Sequence, residues 1–182
     1  MKLKSNYLLL FLPLFLLTVN CKDKENEADI LPNATETGAR TGGAIINGKT
    51  WVAKKKKNYI PGMNNDYSVK GDSTFIQLRL ENVSDNSNLM IKVGFLNSEV
   101  NKTHILNGSM SKERNFAMYY NSDNAFSTVA NDTEYTGKIK FTKFDFYSLT
   151  LSGTFEFKAV SLSGSSQVID VKEGRFDQKF YE

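Results

Sequence analysis

The chain reads as all-β: a single antiparallel β-sandwich or partly closed β-barrel of about 8–10 strands, with a lipocalin-like barrel as the alternative. Three observations carry this. Apolar and polar residues alternate with a period of two in several segments, Asn-, Ser- and Gly-rich connectors recur every ~8–12 residues, and no window sustains the 3.6 period of a helix.

The first segment is an address rather than part of the fold. Lys2 and Lys4 precede the apolar run Tyr7–Leu17, and a short polar step then leads to Cys21. That is the layout of a secretory signal. The run is shorter than the roughly 20 residues a membrane span needs, and Pro13 breaks it. Cys21 is the single cysteine of the chain, so an exported thiol stands without a disulfide partner, and acylation supplies its reason. The division expected is a signal peptide over 1–20, cleavage between Asn20 and Cys21, a lipidated flexible stalk over 21–41 and an all-β domain over 42–182.

Residues 21–41 are polar apart from Ile30-Leu31-Pro32. Read as a flexible coil of about 20 residues, they would hold the domain about 25 Å from a lipid surface; the alternative is that the apolar island docks on the domain. Loss of the leader removes two of the 23 basic residues and none of the 20 acidic ones. The remaining chain is near neutral, which gives no electrostatic warrant for nucleic acid.

The domain opens on Ala44–Ala53, where Asn47-Gly48 between apolar runs marks a type I′ hairpin. Lys54–Lys57 form a charged edge or loop. Residues 58–71, with Tyr59 and Tyr67, are turn-rich and read as a long loop. Ile76, Leu78 and Leu80 alternate with Gln77, Arg79 and Glu81, and Leu89, Ile91, Val93 and Phe95 follow as a partner strand. Weaker strands are expected at Thr103–Leu106 and Asn115–Tyr120, with a loop over 121–132. Tyr135–Thr142 and Leu149–Lys158 form a second hairpin, with Gly153 on the inner face as a bulge or close approach. Val168–Val171 and a last stretch through Phe180 complete the strands.

Two family resemblances follow from particular residues. Leu17-Thr18-Val19-Asn20-Cys21 resembles the lipobox of bacterial lipoproteins, and Cys21–Glu27 resembles the Lys-plus-acid signal for display on the outer face of the outer membrane in Bacteroidota. What this implies is a fatty-acylated Cys21, a location at the outer membrane by lipid anchor, display on the cell surface, and the lipid bilayer as partner. Secondly, Leu31–Gly38, Ile46–Trp51, Ser152–Phe157 and Gly174-Arg175-Phe176-Asp177 together resemble an uncharacterised family of Bacteroidota lipoproteins. That resemblance implies the fold and the address and assigns no reaction.

Conventional catalysis finds little to build on. His104 is the sole histidine, so no multi-histidine zinc site can form, and it reads as a polar strand position. No Gly-x-Ser-x-Gly elbow is present, and Ser109-Met110-Ser111-Lys112 matches Ser-x-x-Lys without the partner motifs of that chemistry. The Asp and Asn residues of the loops follow no calcium-loop spacing and are explained by turns. No catalytic residue, metal or cofactor is therefore expected, and the chain reads as a non-catalytic envelope module, either binding or structural. Trp51, Tyr119 and Tyr120 are the candidate ligand-contact aromatics, the two tyrosines pointing to opposite faces of one strand; the favoured alternative is that these rings cover the ends of the core. A glycan or another envelope protein is the partner such a platform would meet; a barrel enclosing a small apolar ligand is the other binding alternative. Asp72-Ser73-Thr74 resembles the Bacteroidota O-glycosylation motif, with Ser73 as acceptor.

Overall fold

The computed structural model describes residues 30–54, 65–110 and 115–180. They form eleven strands in one antiparallel sheet: β1 (Thr41–Ile46), β2 (Lys49–Val52), β3 (Asp66–Lys70), β4 (Ser73–Asn82), β5 (Ser87–Leu96), β6 (Thr103–Ile105), β7 (Phe116–Tyr120), β8 (Ala125–Ser127), β9 (Gly137–Asp145), β10 (Thr150–Ser161) and β11 (Val168–Lys179). A 3₁₀ turn spans Asn97–Glu99.

The bonded path runs β2-β1-β11-β10-β8-β7-β5-β4-β3, with β9 on β10 and β6 on β9. It folds over on itself into two layers. One layer is β2-β1-β11-β10-β9-β6 and the other β8-β7-β5-β4-β3. They are joined at one corner, where the end of β10 pairs Val160 with Ser127 and Ser161 with Phe126. At the opposite corner a single parallel bridge links Lys54 to Asn82. One bridge is not a ladder, so the sheet does not close. The architecture is that of a β-sandwich, and the lipocalin-like barrel is corrected by these open edges.

Alternation places the core between the layers. Ile76, Leu78 and Leu80 of β4 and Leu89, Ile91 and Val93 of β5 point inward, and Ile139, Phe141, Leu151, Phe155, Phe157 and Val171 face them from the other layer. Asn47 and Gly48 take φ values of 49° and 78°, the positive values of the expected I′ turn, and close β1 onto β2 in register Ile46–Lys49. The β4–β5 hairpin pairs continuously from Ser73–Leu96 to Asn82–Ser87.

Three elements differ from the sequence reading. β3 occupies part of the expected 58–71 loop and pairs with β4 as an edge strand. β8 lies inside the expected 121–132 loop, three residues long. The last two expected strands are one: β11 runs unbroken, with Glu173 at φ 50° forming a bulge opposite Phe155–Phe157.

Candidate functional site

Residues 31–40 follow no sheet ladder, yet they are fastened to the domain. Leu31 and Pro32 rest on the bare backbone of Gly43, where any Cβ would come within 3.1 Å of both side chains. The chain then crosses the outer face of β11 and β10. There Asp177, 1% exposed, receives six donors. Its Oδ2 accepts from Thr35 Oγ1 at 2.6 Å, from the Thr37 and Ala39 N–H groups at 3.0 Å each, and from Thr37 Oγ1 at 3.3 Å. Its Oδ1 accepts from Gly38 N–H at 2.8 Å and from Ser152 Oγ at 2.7 Å. Gly38 adopts φ 72°, which turns its N–H toward the carboxylate. Lys143 adds a bond from Nζ to the Glu36 carbonyl at 3.1 Å.

This geometry follows from the ladder. Ser152 and Asp177 are direct partners in the β10–β11 register, so both side chains stand on one face. Phe176, one residue earlier, faces the core. Burial pushes the Asp177 carboxyl up, but the Thr35 hydroxyl, the Ala39 N–H, the Ser152 hydroxyl and the Gly38 N–H together outweigh it and hold the group well below the usual carboxylate range. The carboxylate is thus held ionised at neutral pH, with donors on both oxygens. It works as an acceptor that fixes a strap. The expected stalk over 21–41 is accordingly attached to the domain from Leu31 onward.

The other carboxyls whose titration the fold moves also go down. Asp132 is lowered by the Tyr135 and Glu134 N–H groups, and Asp145 by the Ser148 hydroxyl and N–H groups of its turn. Among the described residues no three His, Cys, Asp or Glu side chains are grouped so as to hold a metal.

The expected ligand-contact aromatics do not share a groove. Trp51 is 5% exposed, its ring in the core and its Nε1–H donated to Ser87 Oγ at 2.7 Å, so it is corrected from a surface contact to a core anchor. Tyr119 and Tyr120 do face opposite ways: Tyr119 packs against the core beside Phe126, and Tyr120 lies outside with the Arg79 guanidinium 5.7 Å from its ring centre. Ser73 opens β4, half-buried, and lines a cleft on the outer face of β3, β4 and β5. Asn20 and Cys21 lie outside the described residues.

His104 is corrected as well. It is buried, stacked on Phe95 at 4.4 Å and 24°, with Phe141 at 5.8 Å, and its Nε2 has no hydrogen-bond partner. Burial lowers its pKa, against an upward pull from a hydrogen bond to the Val100 backbone and from Glu99. The Thr103–Ile105 strand simply points its middle residue inward.

Sequence reasoning singled out Thr35–Gly38, Ser152 and Asp177 only as separate stretches. No periodic signal connects them, since Thr35 and Asp177 are 142 residues apart.

A family model described as a domain of unknown function, DUF6252, matches residues 43–178. The match includes Ser152 and Asp177 and stops short of the strap they hold. No curated protein and no solved structure matches the chain.

Proposed function

This chain belongs to the DUF6252 family, and we propose that it is a non-catalytic cell-envelope lipoprotein, acylated at Cys21, whose β-sandwich is held by its strap close to the outer membrane. The observation that carries this reading is the six-donor attachment of Thr35, Thr37, Gly38, Ala39 and Ser152 to Asp177.

A chain fastened from Leu31 leaves ten peptide steps back to Cys21. Fully extended they reach at most about 36 Å, and as a flexible coil about 17 Å. The fastening also decides where a pull from the membrane enters the fold. Without it, tension would reach β1 first and peel it from β11. With it, tension enters at Ser152 and Asp177, inside the long ladder in which β10 and β11 pair from Thr150–Lys179 to Val160–Val168. The strongest carboxylate site in the domain is used for attachment rather than for acid–base work, which supports a module that binds or spaces rather than one that turns over substrate.

The test is direct. The native protein should fractionate with membranes and its N-terminal peptide should carry fatty acyl mass on Cys21, whereas Cys21→Ala should appear in the soluble fraction. A bare thiol in the native product, or membrane retention of Cys21→Ala, would remove this reading.

A further inference from the structure

The outer face of the second layer carries a cleft of about 690 Å³ on β3, β4 and β5, on the side of the sandwich away from the strap. Its floor is an aromatic ring where the alternation of β4 calls for a polar residue. Phe75 points outward, 46% exposed, between the outward Gln77 and Ser73. The ring lies across its cross-strand partner Gly94, with Cδ1 and Cε1 only 2.8 and 2.9 Å from where a Cβ of residue 94 would stand. Gly94 is itself pinned: its N–H donates to Asn115 Oδ1 at 2.8 Å and its carbonyl accepts from Asn115 Nδ2 at 3.3 Å. The plate is therefore fixed from below and bare above.

Its surroundings are polar and of mixed sign. Gln77 and Asn107, which carry planar amides, line the cleft with Asp66, Glu99 and Lys92. An exposed apolar plate ringed by amide and carboxylate groups is complementary to a molecule with one flat C–H face and a rim of hydroxyls. A pyranose ring has that form, and because Glu99 is paired with Lys102 at 3.0 Å, Asp66 and Lys92 are left to offset one another, which favours an uncharged ring. We infer that this cleft is a saccharide-binding site in which a neutral sugar ring stacks on Phe75, its hydroxyls bonded by Gln77, Asn107 and the flanking carboxylates. The inference rests on the binding-module reading and names its ligand class; it places the contact at Phe75 rather than at Trp51, Tyr119 or Tyr120.

The experiment is isothermal titration of the intact acylated protein, in detergent, with soluble neutral hexasaccharides of glucose, mannose, xylose and N-acetylglucosamine. At least one should bind, and Phe75→Ala should weaken it by about tenfold or more, with Phe75→Trp retaining it. Gly94→Val, which pushes the ring off its seat while leaving Phe75 in the chain, should weaken it as well. Thermal melts of each variant separate lost binding from lost fold, and Gln77→Ala, a surface truncation, provides a second route should either fail to fold. Absence of binding across the panel, or equal binding by Phe75→Ala, overturns the inference. Acyl mass on Cys21 is measured on the same sample, so failure of the anchor and failure of the cleft are read separately.

Discussion

Two polar side chains are buried in this sandwich under opposite conditions. Asp177, on the outer face beneath the strap, has six donors and is ionised; His104, between the layers, has an unpartnered Nε2 and is driven toward its neutral form. A charge withdrawn from water is tolerated when donors replace the lost solvation, and otherwise the group gives up the charge. The first arrangement joins two parts of the chain that are far apart in sequence. The second bonds only the nearby Val100 backbone, and its ring is used as one more aromatic plate among Phe95 and Phe141. Buried polarity in this protein therefore has a structural purpose at one site and is incidental at the other.

The largest expected effect breaks the first side of that contrast. Asp177→Ala should cost about 2–4 kcal/mol in denaturant unfolding, because charge-assisted bonds are lost while the released strap regains water and chain entropy. Asp177→Asn should cost nearly as much. An amide keeps the shape but turns one acceptor into a donor facing the Thr35, Thr37 and Ala39 groups or the Gly38 and Ser152 groups. Tryptic cleavage after the exposed Arg40 should accelerate in both variants. If Asp177→Asn were as stable as the parent and Arg40 as slowly cut, Asp177 would be holding nothing.

Acid should distinguish the two sites by the pH at which each responds. Asp177 titrates lower folded than its ordinary value of 3.8, so its contribution is complete above that pH and is lost progressively as pH falls below it. His104 also titrates lower folded than its ordinary 6.5, so its neutral form favours the fold above that value and stability declines as pH drops below it. A plot of unfolding free energy against pH should thus show a shallow fall beginning near 6.5 and a steeper one beginning near 3.8. Asp177→Asn should make the steeper fall clearly shallower, leaving the part owed to Asp132 and Asp145, and leave the fall near 6.5 unchanged. One merged transition shared by parent and variant would mean that the two groups are not the sources.

How much of this was legible in the sequence depends on whether a feature is local. Asn47-Gly48 names its turn because positive φ at two successive residues is a property of those residues alone, and Leu78 or Ile91 names its face because alternation is local too. β3 and β8 escaped notice, since Asp66-Tyr67-Ser68-Val69-Lys70 is an exposed edge with little to bury and Ala125-Phe126-Ser127 is too short to show a period. β11 read as two strands because Glu173 interrupts its alternation with a bulge. For Trp51 a ligand platform and a ring covering the core were both open, because Ser87, which accepts its N–H, is brought to it only by the fold. Docking of the apolar island Ile30-Leu31-Pro32 was one of two open readings, but the polar attachment that follows it had no signal. A run of Asn, Thr, Glu and Gly has the same composition whether its donors meet water or one carboxylate, and that carboxylate is about 140 residues away.

The smallest expected effect tests the second side of the contrast. In His104→Phe an aromatic ring still stacks on Phe95, and the unpartnered Nε2 disappears along with its desolvation cost of about 1–3 kcal/mol. Against that gain stands the lost hydrogen bond to the Val100 backbone, at a half-buried position that water can reach, worth about 1 kcal/mol. At pH 8 the two nearly cancel, and the variant should lie within about 1 kcal/mol of the parent. At pH 5 they should not cancel, because only the parent must keep an imidazole neutral that its unfolded state protonates, so the variant should be the more stable of the two and its shallow fall near 6.5 should be gone. A variant that lost several kcal/mol at both pH values would show instead that the imidazole, like Asp177, is wired into the fold by bonds that make its polarity indispensable.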